Sequence, residues 1–315
     1  MILKVLSIIL PIFILILLGF LCRVKGLLSI STGKELNKFI FYISLPALLI
    51  CKISQADINI TDQWGAYLSI LLATAVVAFL GIFLSTFFGL LSSQKWVCAH
   101  GCIRSNMAFI GLPVIIYATN DKGASIAALL MGLTIPIYNI LGVVFLTLGK
   151  KRTEAISVKS VFIQIGWSIL KNPLIWGCLI GGILYLIKID KTTFLIKNLE
   201  SIGYISIPLS LICMGIQMNR AINWQRLKQV MFPTILKLIA CPAFGLLFLH
   251  LFYANPDQNM VLSVLVLLGC PSAVASYVMA VEMNADPEFA ADMVLSTTLL
   301  SFFTISGILL LIQYL

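Results

Sequence analysis

The stretch that decides the fold is Tyr42-Ile-Ser-Leu-Pro-Ala-Leu-Leu-Ile-Cys51, because it returns 162 residues later as Tyr204-Ile-Ser-Ile-Pro-Leu-Ser-Leu-Ile-Cys213. Seven of the ten positions are identical, and they include Tyr, Ser and Pro, which an apolar sequence repeats by chance less easily than Leu or Ile. The same offset pairs Pro11 with Pro173 and Gly19 with Gly181. The chain therefore contains an internal repeat, which governs how the rest of the sequence is interpreted.

The composition indicates a membrane protein. Of the 315 residues, 60% are hydrophobic and 10% are charged, and the mean hydropathy is +1.06. A soluble domain carries about 25% charged residues, so a soluble globular enzyme, a coiled coil and a disordered chain are excluded. About 20 apolar residues span a bilayer core, and the lipid bilayer is the first partner we expect. The predicted spans are residues 2–22, 34–53, 65–91, 97–118, 123–148, 173–189, 194–218, 230–253, 260–281 and 289–314.

These ten spans divide into two sets of five, and the repeat relates one set to the other. Residues 1–148 form the first five-helix repeat and residues 173–315 the second, joined by a cytoplasmic linker, 149–172, with an interfacial amphipathic segment at 157–171. Because five is odd, two copies in one chain insert in opposite orientations. The expected fold is an all-α polytopic membrane protein of two inverted repeats, as in many secondary transporters.

The basic residues indicate an orientation rather than a nucleic-acid partner. Lys plus Arg is 21 and Asp plus Glu is 12, which leaves a net charge of +9. Thirteen basic residues fall in loops after odd-numbered spans and six fall on the opposite side, so the positive-inside rule puts both termini outside the cytoplasm. No basic stretch interleaves with aromatic residues as nucleic-acid binding requires. We expect a multi-pass protein of a bacterial cytoplasmic membrane.

A glycine followed two residues later by a proline interrupts the fourth and ninth spans. The pairs are Gly111 with Pro113 and Gly269 with Pro271. Proline removes an amide donor and clashes with the carbonyl four residues earlier, and broken helices at matching positions of two halves indicate a transporter binding site. We expect half-helices to begin at Pro113 and Pro271, with N-terminal amides that favour an anion. A kink made only for packing is the alternative.

Polar residues inside the spans complete the candidate substrate-binding site. Arg104, Ser105 and Asn106 precede the first break, and an intramembrane Arg faces a cavity or a partner or extends to the interface. The amide of Asn106 offers donors and an acceptor that suit a carboxylate. The other candidates are Asn139, Ser44, Ser206, Ser272 and Ser276.

Four residues are candidates for titration during a transport cycle, namely His100, Lys237, Glu282 and Asp292. A histidine changes charge near neutral pH, but a hydrogen-bonded helix histidine and a solvated acidic loop are the alternatives. Two cysteines flank His100, yet no second ligand pair follows at a zinc spacing, so we expect no metal and no cofactor. The coupling ion, H+ or Na+, stays open.

Short motifs spread over nearly the whole chain occur in an order typical of one family. They are Leu45-Pro46-Ala47-Leu48, Asn106 with Gly111-Leu112-Pro113, Ile135-Pro136-Ile137-Tyr138-Asn139, Lys171-Asn172-Pro173-Leu174, Cys270-Pro271-Ser272-Ala273 and Thr297-Thr298-Leu299-Leu300-Ser301. In these motifs the sequence resembles the auxin efflux carrier family, in the bacterial branch that includes proteins named as malate and malonate permeases.

The resemblance implies a scaffold domain of spans one, two, six and seven, which forms a homodimer through spans two and seven, and a transport domain of the other six. It also implies that the broken fourth and ninth spans cross at the substrate site, where Asn106, Pro113 and Pro271 match the family's residues. Family substrates are organic anions: auxin in plants and small carboxylates in bacteria. We therefore expect a non-enzymatic secondary transporter that moves a small carboxylate or dicarboxylate by alternating access. A channel and a non-transporting membrane sensor are the alternatives.

Overall fold

A computed structural model of the chain describes residues 2–57, 59–119, 121–149, 163, 165–167, 170–190, 192–218 and 224–312. Within these ranges the chain is helical and contains no β-strand. The predicted all-α class is therefore confirmed. Most of the predicted linker, including much of its interfacial segment, lies outside the described residues.

The helices follow one another through short loops. They are α1 (Ile2–Val24), α2 (Ile30–Phe39), α3 (Leu45–Ser54), α4 (Trp64–Phe87), α5 (Ser92–Ile103), α6 (Leu112–Ala118), α7 (Asp121–Leu148), α8 (Pro173–Leu186), α9 (Phe194–Gln217), α10 (Trp224–Ile235), α11 (Cys241–Phe252), α12 (Gln258–Gly269), α13 (Val274–Glu282) and α14 (Pro287–Ile312).

Seven helical segments of the described chain are long and apolar enough to cross a membrane. They are Val5–Val24, Ile30–Ser54, Thr61–Phe87, Asp121–Leu148, Phe194–Gln217, Lys228–Phe252 and Pro287–Ile312. Three shorter apolar helices, Met107–Ala118, Pro173–Leu186 and Gln258–Gly269, lie where the fourth, sixth and ninth spans are predicted. The 12 residues of Gln258–Gly269 rise about 18 Å, less than the ~30 Å of a bilayer core. Two of the three, Met107–Ala118 and Gln258–Gly269, are short because the predicted fourth and ninth spans are each broken into two helical parts.

Two bundles pack mainly within themselves. In the first bundle, α1 packs along α9, and α3 packs along α8 and α9. In the second bundle, α4 packs along α5 and α11, while α12 packs against α7, α11 and α14. Contacts of α1 with α14 and of α3 with α7 join the first bundle (α1–α3, α8 and α9) to the second (α4–α7 and α10–α14).

Wide π-turns carry three of the spans past a proline. Within the described ranges the π-turns are Ile40–Ser44, Met107–Gly111 and Leu236–Ala240, and the prolines that follow them are Pro46, Pro113 and Pro242. A proline ring clashes with the carbonyl four residues earlier, and a wider turn moves that carbonyl away from the ring. These spans therefore continue through their prolines as helices.

Candidate functional site

Two helices of the second bundle, α5 and α12, each end where the chain unwinds for a few residues. α5 ends at Ile103 and helical structure resumes at Met107, so residues 104–106 are unwound. α12 ends at Gly269 and α13 begins at Val274, so residues 270–273 are unwound. We call these two segments together the crossing.

The two segments of the crossing pair through their backbones in antiparallel orientation. The Asn106 N–H donates to the Pro271 carbonyl at 2.8 Å, and the Ala273 N–H donates to the Arg104 carbonyl at 2.9 Å. Irregular backbone inside a membrane is tolerated only where its polar groups are satisfied within the protein or face a cavity. The pairing satisfies four of these groups and brings the two predicted breaks together.

The first break lies earlier than the sequence predicts. The α-helix α6 begins at Leu112, one residue before the predicted start at Pro113, but the π-turn Met107–Gly111 leads into it with no unwound residue, so the break itself lies at residues 104–106. The π-turn accommodates the proline, and the Phe109 carbonyl, four residues before it, accepts a hydrogen bond from Ser210 Oγ of α9 at 3.3 Å. The same hydroxyl also lies 3.0 Å from the Ile207 carbonyl of its own helix, so the π-turn is what carries the span past Pro113.

The second break lies where the sequence predicts it, but its helix begins later. Pro271 is unwound and α13 begins at Val274, so the predicted start at Pro271 is wrong. Pro271 contributes only its carbonyl to the pairing, and its missing N–H therefore costs nothing. Gly269 is the last residue of α12, while a Cβ on Gly111 would lie 3.0 Å from Cys270 Sγ. Gly111 thus permits the close approach of the two broken spans.

Arg104, within the crossing, is held by α7. Its Nη2 donates to Asn139 Oδ1 at 2.8 Å and its Nη1 donates to the Tyr138 carbonyl at 3.3 Å. The structure therefore brings together two predicted site residues, Arg104 and Asn139. Both partners are neutral, and no ion pair among the described residues includes Arg104.

Lys237 reaches the crossing from the π-turn Leu236–Ala240. Its side chain is fully buried, and its Nζ donates to Ser105 Oγ at 2.5 Å and to the Leu268 carbonyl at 2.6 Å. Ser105 thus contacts Lys237, the second basic side chain among the predicted residues. Two basic side chains from different elements therefore lie at the crossing with neutral described partners.

Asn106 turns its side chain toward the first bundle. The amide is buried, and its Nδ2 donates to Met214 Sδ of α9 at 3.8 Å. Met214 and Ser210, both absent from the predicted set, follow Ser206 at intervals of four residues, which places all three on one face of α9. Extending the Ser206 prediction by one and two helical turns would have found both residues.

Two further predicted serines, Ser272 and Ser276, lie in the interior at or just after the second segment of the crossing. Ser272 donates from Oγ to the Gly101 carbonyl at 2.7 Å, and its N–H donates to Thr297 Oγ1 at 3.0 Å. These bonds tie the second segment of the crossing to α5 and α14. The Ser276 hydroxyl is buried and has no hydrogen-bond partner among the described residues.

Ser44 and Ser206 lie at the contact of α3 with α9, and the structure does not bring them to the crossing. Ser44 Oγ donates to the Ile202 carbonyl at 2.6 Å, and Ser206 Oγ donates to the Gly203 carbonyl at 2.6 Å. The Ser44 hydroxyl joins the second span to α9, as hydroxyls do between helices in membranes, whereas the Ser206 hydroxyl bonds the backbone of its own helix.

The predicted titratable residues are dispersed. His100 is fully buried on α5 beside Gly142 and Met279, and neither ring nitrogen has a hydrogen-bond partner among the described residues. Asp292 is buried on α14, whereas Glu282 is exposed at the end of α13. Glu282 therefore fits the solvated alternative better than a role inside the membrane.

Comparison with known proteins agrees with this architecture. Residues 4–309 match the membrane transport protein family. A relative from Methanothermobacter thermautotrophicus, named as an uncharacterized transporter, is 22% identical over 300 residues, or 93% of each chain. Another uncharacterized transporter, from Methanocaldococcus jannaschii, is 24% identical over 324 residues, which covers 95% of this chain and 96% of the relative. Since the match covers nearly the whole chain, the chain belongs to the membrane transport protein family, the auxin efflux carrier family that its motifs resemble.

Proposed function

We propose that this protein is a secondary transporter that moves a small organic anion, a carboxylate or dicarboxylate, across the cytoplasmic membrane. The observation that carries the proposal is positive charge at the crossing with only neutral described partners. Arg104 and Lys237 both lie there, and the described ion pairs involve other residues. At an effective dielectric constant of 20, two opposite charges 4 Å apart attract by about 4 kcal/mol. An anion entering the crossing supplies the missing negative charge.

Arg104 is the side chain best suited to contact that anion. Its guanidinium carries five N–H donors, and the two described hydrogen bonds leave donors over for a carboxylate. A guanidinium binds a carboxylate through two parallel hydrogen bonds, which adds geometric selectivity to the charge. Asn106, next to the same backbone pairing, supplies an amide within the same region.

Alternating access gives a role to the contact that the crossing makes with the first bundle. In this proposal the first bundle is the scaffold, dimeric through the second and seventh spans, and the second bundle moves against it. The Asn106 contact with Met214 is an amide–sulfur contact at 3.8 Å, which is weak and therefore separates at little cost. The proposal includes ten spans in two inverted repeats, with both termini outside the cytoplasm.

Substrate exchange in proteoliposomes tests the proposal. Vesicles loaded with unlabelled malate, malonate, succinate or lactate are assayed for uptake of the same labelled acid. We expect saturable exchange of at least one acid, and Arg104→Gln to slow it about 10- to 100-fold, because a hydrogen bond to a charged group contributes about 1.5–3 kcal/mol.

The matched control is Lys122→Gln, which removes a basic side chain from a partly exposed ion pair with Asp257. Its exchange rate is expected to equal that of the wild type. If Arg104→Gln is folded and exchanges as fast as Lys122→Gln, or if no organic anion is exchanged, the proposed function is wrong.

A further inference from the structure

Lys237 occupies a position that is costly for a lysine. Its relative exposure is 0%, and no carboxylate pairs with it among the described residues. A charged side chain in the membrane interior is expensive and marks a functional position unless its surroundings stabilise it. Full burial also separates its role from that of Arg104, because a side chain with no exposed surface in this conformation makes no contact with a substrate.

Two oxygen atoms stabilise the Lys237 ammonium. They are Ser105 Oγ, 2.5 Å from Nζ, and the Leu268 carbonyl oxygen, 2.6 Å from Nζ. Hydrogen bonds from a charged nitrogen to oxygen are shorter than neutral ones, typically about 2.7–2.9 Å, and these two are at least as short. A carbonyl oxygen only accepts, so Nζ is the donor to Leu268.

The position of Leu268 in its helix favours a cation. Leu268 is the residue before the last of α12, which ends at Gly269. The last four carbonyls of a helix have no donor within the helix, and they form the negative end of its dipole. The ammonium therefore satisfies an orphan carbonyl of the broken helix and a hydroxyl of the opposite unwound segment.

The Leu268 carbonyl is an oxygen of the kind with which broken-helix transporters coordinate a coupling cation, namely one at the C-terminal end of a half-helix, and Ser105 in the unwound segment adds its hydroxyl oxygen. We propose that the Lys237 ammonium is a tethered cation that fills a sodium-type site at the crossing. The protein then binds no sodium ion there, and transport runs without a sodium gradient. The consequence for transport rests on the proposed function, whereas the binding claim does not. Removing the ammonium while leaving its two oxygen ligands creates a site that takes a sodium ion.

Thermal melting of the purified protein in sodium chloride, compared with choline chloride at equal concentration, tests the binding claim without any organic anion. We expect the wild-type Tm to be the same in both salts. Lys237→Ala lowers the Tm in choline, and sodium shifts it upward by a few degrees, because the exposed oxygens bind the ion. Lys237→Met, which fills the space without charge, has a lowered Tm that sodium does not restore.

A double variant identifies the ligands. Adding Ser105→Ala to Lys237→Ala is expected to abolish the sodium shift. A wild-type Tm that rises with sodium overturns the proposal, even if neither Lys237 variant folds. A folded Lys237→Ala that responds equally to sodium and choline also overturns it. Neither outcome depends on anion exchange, so failure here and failure of the proposed function are separate results.

Discussion

Adding one methyl group at Gly203 is expected to destabilise the packing of α3 against α9 in the first bundle. A Cβ at this position of α9 would lie 2.8 Å from the backbone N and Cα of Leu48 in α3. Carbon atoms pack best at about 3.5–4.0 Å, so the two helices must separate by roughly 1 Å. Overpacking of this kind costs about 1–3 kcal/mol, while alanine in place of glycine inside a helix gains about 0.5–1 kcal/mol. We expect Gly203→Ala to lower the free energy of unfolding by about 1–2 kcal/mol.

Gly182→Ala in α8 is the matched control, since a Cβ there meets no atom within 4 Å. The same helix-propensity gain applies without the overlap, so this variant is expected to be more stable than the wild type by about 0.5–1 kcal/mol. Intrinsic-fluorescence melting in detergent measures both. The Tm values are expected to move in opposite directions from the wild type, by about 2–4 °C for each kcal/mol. If Gly203→Ala melts at or above Gly182→Ala, the close approach of α3 and α9 is not the packing constraint argued above.

Three further predictions concern polar contacts. Asp121→Asn should lower the free energy of unfolding by about 1 kcal/mol or less, because the carboxylate that pairs with Lys52 is 88% exposed. Melting at low and high salt checks this prediction, and the difference in Tm between the variant and the wild type should disappear in high salt. Burial alone would raise the pKa of Asp257, but hydrogen bonds from Lys122 and a backbone N–H hold it below its ordinary value of 3.8. The stability that this carboxylate contributes is therefore present above the ordinary pKa and is lost as the pH falls through the lowered pKa. The wild type should lose stability relative to Asp257→Asn only below about pH 4, which melting over an acid series would show. Equal acid sensitivity of the two proteins would contradict this prediction. Ser210→Ala should cost about 1 kcal/mol, because it removes the hydroxyl that contacts the carbonyls of Phe109, in the π-turn Met107–Gly111, and of Ile207; an unchanged Tm would contradict it.

Hydropathy predicted the helical class, and seven described segments are long and apolar enough to cross a membrane, because both properties depend on the chain's own composition. The all-α class and the place of the second break follow from the length of the apolar runs and from Gly269 and Pro271. Backbone groups in lipid find partners in helices or in closed β-barrels, and apolar runs of about 20 residues have the length of a spanning helix rather than of a barrel strand. Local sequence is sufficient for this part of the structure.

The first break could not be located in the same way. Pro113 is chemically able to end a helix, and whether it does depends on the π-turn Met107–Gly111, which local sequence does not specify. The contact of Lys237 with Ser105 joins residues 132 positions apart. Side chains that meet across the fold are set by packing, which one sequence does not reveal.

The backbone pairing at the crossing divides two tasks between two kinds of atoms. The joint is made by the N–H groups of Asn106 and Ala273 and by the carbonyls of Pro271 and Arg104. Main-chain atoms are common to nearly all residues, so the joint tolerates side-chain replacement at these positions, except proline at either donor. Two chains that share few side chains at these positions can therefore make the same joint, and the geometry of the joint places no demand on which side chains surround it.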